Sequence, residues 1–226
     1  MSLLKTILGI DEAGRGPVIG PLVMCGYLVK EGKIEELREL GVKDSKQLTP
    51  EKRESLVPRL KKMAEDFVVL SISPQEIDKL RTETNLNKIE IEHMQQMIDL
   101  LCPGKAVIDA PEANTKRFRE KVLCRLKHTR FELVAENFAD KKYPEVGAAS
   151  IIAKVHRDAE ISKLHHKYGF FGSGYTSDER TIAFLKNWLQ DNKDFPDIVR
   201  KSWITATLMK KEKEQSNVMS FISRTE

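Results

Sequence analysis

The sequence predicts an α/β protein: one mixed sheet with helices on both faces, followed by a small helical lobe. Three observations carry the prediction. Two apolar runs near the start, residues 3–10 and 18–29, are separated only by a glycine-rich turn, which marks an antiparallel strand pair. From residue 67 onward, short apolar runs alternate with helical periodicity, as in sheets flanked on both faces by helices. After residue 176 the patterning is helical only.

Each element has its own local reason. Residues 3–10 are apolar except for Lys5, Thr6 and Gly9, so they read as a strand buried on both faces. Residues 34–40 form a short helix stopped by Gly41. Thr49 and Pro50 are a cap and first position for a helix to about residue 65, with Leu56, Val57, Leu60 and Met63 at helical spacing. Residues 67–72 are a third strand, and Ser73 with Pro74 opens another helix. Residues 86–101 form a long amphipathic helix ended by Pro103 and Gly104. Residues 105–109 are a buried strand, 114–126 a helix and 131–135 the fifth strand. A second long helix covers 143–162 and is rich in alanine. Ser177 is placed to cap a helix ending near residue 190, and 203–209 are apolar enough to pack. Residues from Lys210 read as a solvated, flexible tail.

With 226 residues, 40% hydrophobic and 32% charged, the chain has room for one large domain with an appendage and the balance of a soluble globule. There is no apolar run of membrane-spanning length and no signal-peptide pattern, so a cytoplasmic protein with no membrane contact is expected. Cys25, Cys102 and Cys124 are too scattered for a disulfide frame or a zinc site and suit reduced thiols. Residues 1–140 balance to zero charge, so the net +4 lies wholly in residues 141–226. A mildly basic late segment beside an acidic centre is compatible with a polyanionic substrate.

The chemistry lies in acids at strand ends. Asp11 and Asp109 each close a buried strand, and if these strands are neighbours both carboxylates emerge at one edge of the sheet. Glu12 follows Asp11 and would face the other way in a regular strand, so it joins the site only where the backbone turns. Asp140 stands at a loop-to-helix junction behind the fifth strand. Acids without clustered Cys or His suit hard cations, Mg²⁺ or Mn²⁺, and two such ions serve phosphodiester hydrolysis. On the second long helix, Ser150, Lys154 and Arg157 share a face, a hydroxyl and two cations fit for a phosphate backbone.

At these residues the sequence resembles type 2 ribonuclease H, ribonuclease HII. The resemblance rests on Asp11-Glu12-Ala13-Gly14-Arg15-Gly16-Pro17 with Gly20-Pro21, Asp44-Ser45-Lys46 with Leu48, and Ile108-Asp109-Ala110. It continues through Ala139-Asp140-Lys141-Lys142-Tyr143-Pro144, Ala148 to Val155 with Arg157-Asp158, and Gly172-Ser173-Gly174-Tyr175 with Ser177-Asp178. These blocks stand in the family's order, and the layout is similar to the prokaryotic single-chain enzymes, the archaeal ones above all. Thr176 departs from the family's frequent proline, and Gly14-Arg15-Gly16 differs from the Gly-Lys-Gly of type 3 enzymes, whose extra N-terminal domain has no room here.

The resemblance implies a ribonuclease H-like fold whose mixed sheet has five strands, with a catalytic domain over 1–176, a C-terminal helical lobe over 177–209 and a tail over 210–226. It implies an endonuclease cutting the RNA strand of RNA/DNA hybrids and cutting 5′ of single ribonucleotides in duplex DNA, leaving 5′-phosphomonoesters. Asp11, Glu12, Asp109 and Asp140 would hold two Mg²⁺ or Mn²⁺ ions. Gly14, Arg15 and Gly16 would read the 2′-hydroxyl through backbone contacts, Tyr175 would stack near the RNA-to-DNA junction, and Lys46, Ser150 and Lys154 would hold phosphates. A monomer is expected. In the tail, Gln215, Val218, Phe221 and Ile222 have the spacing of a sliding-clamp binding box, with Ile222 in place of the usual second aromatic.

Two other classes fit less well. A nucleotide-dependent phosphoryl-transfer enzyme needs a glycine-rich loop ahead of a helix, whereas Gly14-Arg15-Gly16-Pro17 leads into a strand. A non-catalytic hybrid-binding module has no use for four acids, which oppose a polyanion unless metal is present.

Overall fold

The computed structural model describes residues 5–42 and 48–222, with side chains described to residue 215. In chain order the elements are β1 (Thr6–Ala13), β2 (Leu22–Lys30), α1 (Ile34–Glu39), α2 (Pro50–Met63), β3 (Asp66–Ile72), α3 (Pro74–Leu80) and α4 (Leu86–Leu101). They continue with β4 (Lys105–Asp109), α5 (Thr115–Leu123), β5 (Glu132–Glu136), α6 (Ala139–Lys142), α7 (Pro144–Tyr168), α8 (Glu179–Asp191) and α9 (Ile204–Ile222). Among the described residues no helix is long and apolar enough to cross a membrane.

The five strands form one sheet in the order β3-β2-β1-β4-β5. β1 runs antiparallel to β2 and parallel to β4, and β4 runs parallel to β5. The mixed five-stranded sheet with flanking helices is therefore as the sequence predicts. Adjacent residues of β2 show both layers. Tyr27 is buried on one face and its hydroxyl donates to Leu60 O of α2 at 2.8 Å. Gly26 points to the other face, where Met97 of α4 packs in van der Waals reach. On the Tyr27 side, Leu37, Leu56, Leu60, Ala148, Ala149 and Ile152 fill one core, so the small residues of α7 let that helix lie close on the sheet.

The closest approach is at Gly9. A Cβ there would lie 2.3 Å from the carbonyl carbon and oxygen of Glu145, in the first turn of α7. Only glycine lets the helix start that near to β1.

The chain divides into two compact units. The first comprises Met1–Ala13, Val23–Ser71 and Asn85–Asp158, and the second Gly14–Leu22, Ile72–Thr84 and Ala159–Glu226. The first contains the sheet and its cores. In the second, Val18, Ile19, Ile161, Phe171, Leu185, Leu189, Phe195, Ile198 and Val199 share a core of their own.

Several boundaries differ from the sequence reading, each for a physical reason. β1 extends through Asp11, Glu12 and Ala13, because these residues continue to pair with Cys25, Met24 and Val23 of β2. β2 starts at Leu22 and not at Val18. The earlier residues pair elsewhere: Ile19 bridges Val199, and Gly20, with φ of 91°, donates to Ile198 O. This pairing is why the second unit draws in residues 14–22. α7 runs on to Tyr168. α8 is capped by Asp178 and not Ser177, since Asp178 accepts from Arg180 N and, at 2.8 Å, from Ser173 N. The expected tail from residue 210 lies in α9, which continues to Ile222. Its Lys and Glu residues are strong helix formers, and the Lys210 and Lys213 ammoniums reach Asp194 and the carbonyls of Leu189 and Asn192.

Candidate active site

The register between β1 and β4 aligns Ile10 with Ile108, so the next residues, Asp11 and Asp109, stand side by side where the parallel ladder ends. Asp11 is 5% exposed. Burial raises its carboxyl pKa to about 6, and the charge of Asp109 adds to that rise. The Lys154 ammonium, a hydrogen bond from the Ser150 hydroxyl and the Glu12 N–H at 2.7 Å act against it. The hydroxyl and the first cation of the α7 face thus both serve Asp11, and Lys154 Nζ also donates to Ser150 Oγ. Arg157, further along α7, is 7% exposed.

Asp109 Oδ1 accepts from the N–H of Ala139 at 2.9 Å, which ties the end of β4 to the start of α6. Asp140 is the next residue, 2% exposed, and its Oδ1 is buried without a hydrogen-bond partner. The turn that delivers it is held tightly. Phe138 takes φ of 58°, in the left-handed region, and Asn137 Nδ2 donates to Ala110 O at 2.6 Å and to Glu112 O at 3.0 Å. The structure thus brings Asp11, Asp109 and Asp140 to one end of the sheet. Glu12 is half-buried and still within β1, since the strand does not turn until after Ala13.

Among the described residues no group of three or more Asp, Glu, His or Cys is gathered so as to hold a metal ion. The donor set nonetheless fits a hard cation. It consists of oxygens only, it includes a buried carboxylate oxygen with nothing donating to it, and Mg²⁺ is commonly held by one or two carboxylates with water and substrate phosphate completing the shell.

Of the remaining predicted residues, Gly14, Arg15, Gly16 and Tyr175 belong to the second unit. Gly14 opens the loop after β1 with φ of 80°, a conformation that favours glycine. Tyr175 is 38% exposed, and its ring lies 3.7 Å from where a Cβ on Gly16 would be. Gly174 O accepts from the N–H groups of Val18 and Ile19, fastening the Tyr175 loop to the chain just after the Gly14–Gly16 segment. Asp178 braces the same loop through Ser173 N, and the Arg180 guanidinium beside it holds its carboxyl far below the usual carboxylate range. Lys46 lies outside the described residues. Gln215 is exposed, and the side chains of Val218, Phe221 and Ile222 lie outside the described residues.

Sequence reasoning missed two residues here. Arg200 is wholly buried and hydrogen-bonds the carbonyls of Gly14, Arg15 and Gly20, while Trp203 Nε1 donates to Gly16 O at 3.1 Å. The only signal was a tryptophan close behind an arginine in an otherwise plain stretch.

A five-stranded mixed sheet with acids where its central parallel ladder ends defines the class: a nuclease of the ribonuclease H fold. The family model for ribonuclease HII matches residues 8–206. Ribonuclease HII of Pyrococcus abyssi is 44% identical over 222 residues, spanning 96% of this chain and 98% of the relative. The crystal structure of ribonuclease H2 from Pyrococcus horikoshii OT3 superposes with a TM-score of 0.87 at 44% identity, covering 92% of this chain and 99% of the other. RNase HII in the PCNA:RNase HII complex from Archaeoglobus fulgidus superposes with a TM-score of 0.82 at 41% identity, over 90% of this chain and 96% of that one. The chain belongs to the ribonuclease HII family. It is a ribonuclease H endonuclease, in a family that acts on RNA/DNA hybrids and depends on divalent metal ions.

Proposed function

We propose that this ribonuclease cuts the RNA strand of RNA/DNA hybrids and also cuts 5′ of a single ribonucleotide in duplex DNA, using two divalent ions held by Asp11, Glu12, Asp109 and Asp140. The observation that carries the reading is that Asp11 and Asp109 stand side by side where the parallel β1–β4 ladder ends, with Asp140 next to the Ala139 N–H that Asp109 accepts. The chemistry such ions supply is Lewis-acid charge at the attacking and leaving oxygens of the phosphodiester. Lys154 and Ser150 favour the ionised form of Asp11 and orient it, and the ammoniums of Lys154 and Lys46 offer positive charge to substrate phosphate as it arrives. The N–H groups of the Gly14-Arg15-Gly16 segment read the 2′-hydroxyl, which separates RNA from DNA. Tyr175 stacks at the RNA-to-DNA junction, and its partial exposure leaves a ring face for that purpose.

The test is incubation of the purified chain with a DNA duplex carrying one ribonucleotide, with Mg²⁺, with Mn²⁺ and with chelator. Metal-dependent cleavage on the 5′ side of the ribonucleotide, leaving a 5′-phosphate, supports the reading. Cleavage of long hybrids alone sinks the single-ribonucleotide part, and cleavage in chelator sinks the metal part.

We propose a sliding clamp as a partner, gripped by Gln215, Val218, Phe221 and Ile222. Support comes from the spacing of these residues and from the Archaeoglobus fulgidus relative, whose structure was solved in complex with PCNA. The reading places the enzyme on newly made DNA, in the cytoplasm, where the free thiols of Cys25, Cys102 and Cys124 are stable. Calorimetric titration of the full chain into the clamp, with and without Phe221→Ala, tests it. Equal heats for both proteins refute the motif.

A further inference from the structure

The loop proposed to read the ribose does not shape itself. Its carbonyls are gripped from residues almost two hundred positions later in the chain. Arg200 is 0% exposed, and its guanidinium donates through Nε to Gly20 O at 2.9 Å, through Nη1 to Arg15 O at 2.9 Å and through Nη2 to Gly14 O at 2.5 Å. Its backbone N–H donates to Val18 O at 2.8 Å. Trp203 completes the set by donating from Nε1 to Gly16 O at 3.1 Å. Two guanidiniums lie over the Trp203 ring, Arg200 at 4.8 Å and Arg81 at 4.7 Å from its centre.

The direction of these bonds matters more than their number. A trans peptide is planar, so a carbonyl and the N–H that follows it point to opposite sides. The described peptide bonds include no cis form. With the carbonyls of Gly14 and Arg15 turned onto Arg200, the N–H groups of Arg15 and Gly16 are turned away from it. A guanidinium suits this work because its donors form a rigid planar fork and it never loses its charge. An ammonium is a point charge and cannot reproduce that spread. Burying a cation is costly unless its donors are matched, and here three carbonyl dipoles and an indole face meet it.

We infer that Arg200, assisted by Trp203, is the positioning residue for 2′-hydroxyl recognition: it sets the direction of the Arg15 and Gly16 amides and so the preference for ribose over deoxyribose. The inference rests on the ribose-reading role given to that segment under the proposed function.

The test measures preference and not activity, because the ratio of two affinities does not depend on how much of the protein is active. In an Asp109→Asn background with Mg²⁺, affinity is measured by fluorescence anisotropy for a duplex with one ribonucleotide and for the same duplex in all-DNA form. Circular dichroism melting reports folding. Arg200→Lys keeps the charge and removes the fork, and Trp203→Phe keeps the ring and removes the donor to Gly16 O. The parent prefers the ribonucleotide duplex. Arg200→Lys reduces that preference about five- to tenfold, as for one or two lost hydrogen bonds, and Trp203→Phe reduces it about two- to threefold, chiefly through the ribonucleotide duplex. If Arg200→Lys does not fold, Trp203→Phe decides alone. Undiminished preference in the folded variants overturns the inference and leaves the ribose reading standing. No preference in the parent overturns both.

Discussion

Gly9→Ala is a one-methyl change whose cost the structure fixes. A Cβ at Gly9 would lie 2.3 Å from Glu145 C and O and 2.5 Å from Val146 N, all main-chain atoms that no rotamer change can move. Ordinary contact begins near 3.4 Å, so β1 and the first turn of α7 must part by about 1 Å. Packed cores absorb such overpacking at about 1–3 kcal/mol, and a clash with main chain on both sides belongs at the upper end. For a chain of this size about 3 kcal/mol lowers Tm by roughly 6–12 °C. The same shift moves Ser150 and Lys154, which α7 holds against Asp11. A misplacement of about 1 Å near reacting groups costs on the order of a hundredfold in rate. Circular dichroism melting and initial cleavage rates on an RNA/DNA hybrid give both numbers. Gly32→Ala is the control, since a Cβ there meets nothing within 4 Å, and its Tm should hold or rise slightly. A Gly9→Ala protein melting within about 2 °C of the parent, with its rate kept within about twofold, would show that α7 is not seated on β1 as described.

Other outcomes follow from the same geometry. Asp109→Asn should abolish cleavage while the far-ultraviolet spectrum stays native, because the amide keeps a carbonyl oxygen for the Ala139 N–H but loses the charge; a folded, fully active variant refutes its role. Tyr175→Ala should lower cleavage at a lone ribonucleotide by roughly ten- to a hundredfold, the worth of ~1–3 kcal/mol of stacking, and an unchanged rate there with slower cutting of long hybrids would make it a general grip. Asp194 gives the pH dependence: burial raises its pKa, but hydrogen bonds from the Lys201 and Lys210 ammoniums outweigh this and bring it from 3.8 to about 2. Its folded-state pKa is depressed, so its contribution to stability is present above about pH 4 and is lost as pH falls toward 2. Urea unfolding of parent and Asp194→Asn at pH 7 and pH 2.5 should show a gap at the first and a smaller one at the second.

What could be read from the sequence was what a residue does to its own neighbourhood. Thr49 and Ser73 were legible as caps because a hydroxyl before a proline-led helix accepts from the N–H three residues on, as they do from Lys52 and Glu76. Asp11 and Asp109 were legible because an acid following a buried apolar run needs a partner, although β1 itself continues past Asp11 to Ala13. Where two neighbours could do the same local work, the choice went to a longer reach: Asp178 outdoes Ser177 as the cap of α8 because it also holds Ser173 N. The face shared by Ser150 and Lys154 was visible in their spacing, but that it serves Asp11 was not, because helical period fixes a direction and says nothing of what lies along it.

Arg200 marks the limit of such reading. It is one of 38 cations in the chain, and nothing near it in sequence asks for burial. Its hydrogen-bond partners at Gly14, Arg15, Val18 and Gly20 are carbonyls, groups that every residue carries alike. A side chain that pairs with another side chain leaves a trace in both residue types. A side chain that pairs with main chain leaves a trace only in its own. The residues proposed to touch the substrate, Asp11, Gly14 to Gly16 and Tyr175, were therefore open to the sequence, whereas the residue that holds the Gly14 and Arg15 carbonyls became visible only when the fold carried residue 200 back to residue 14.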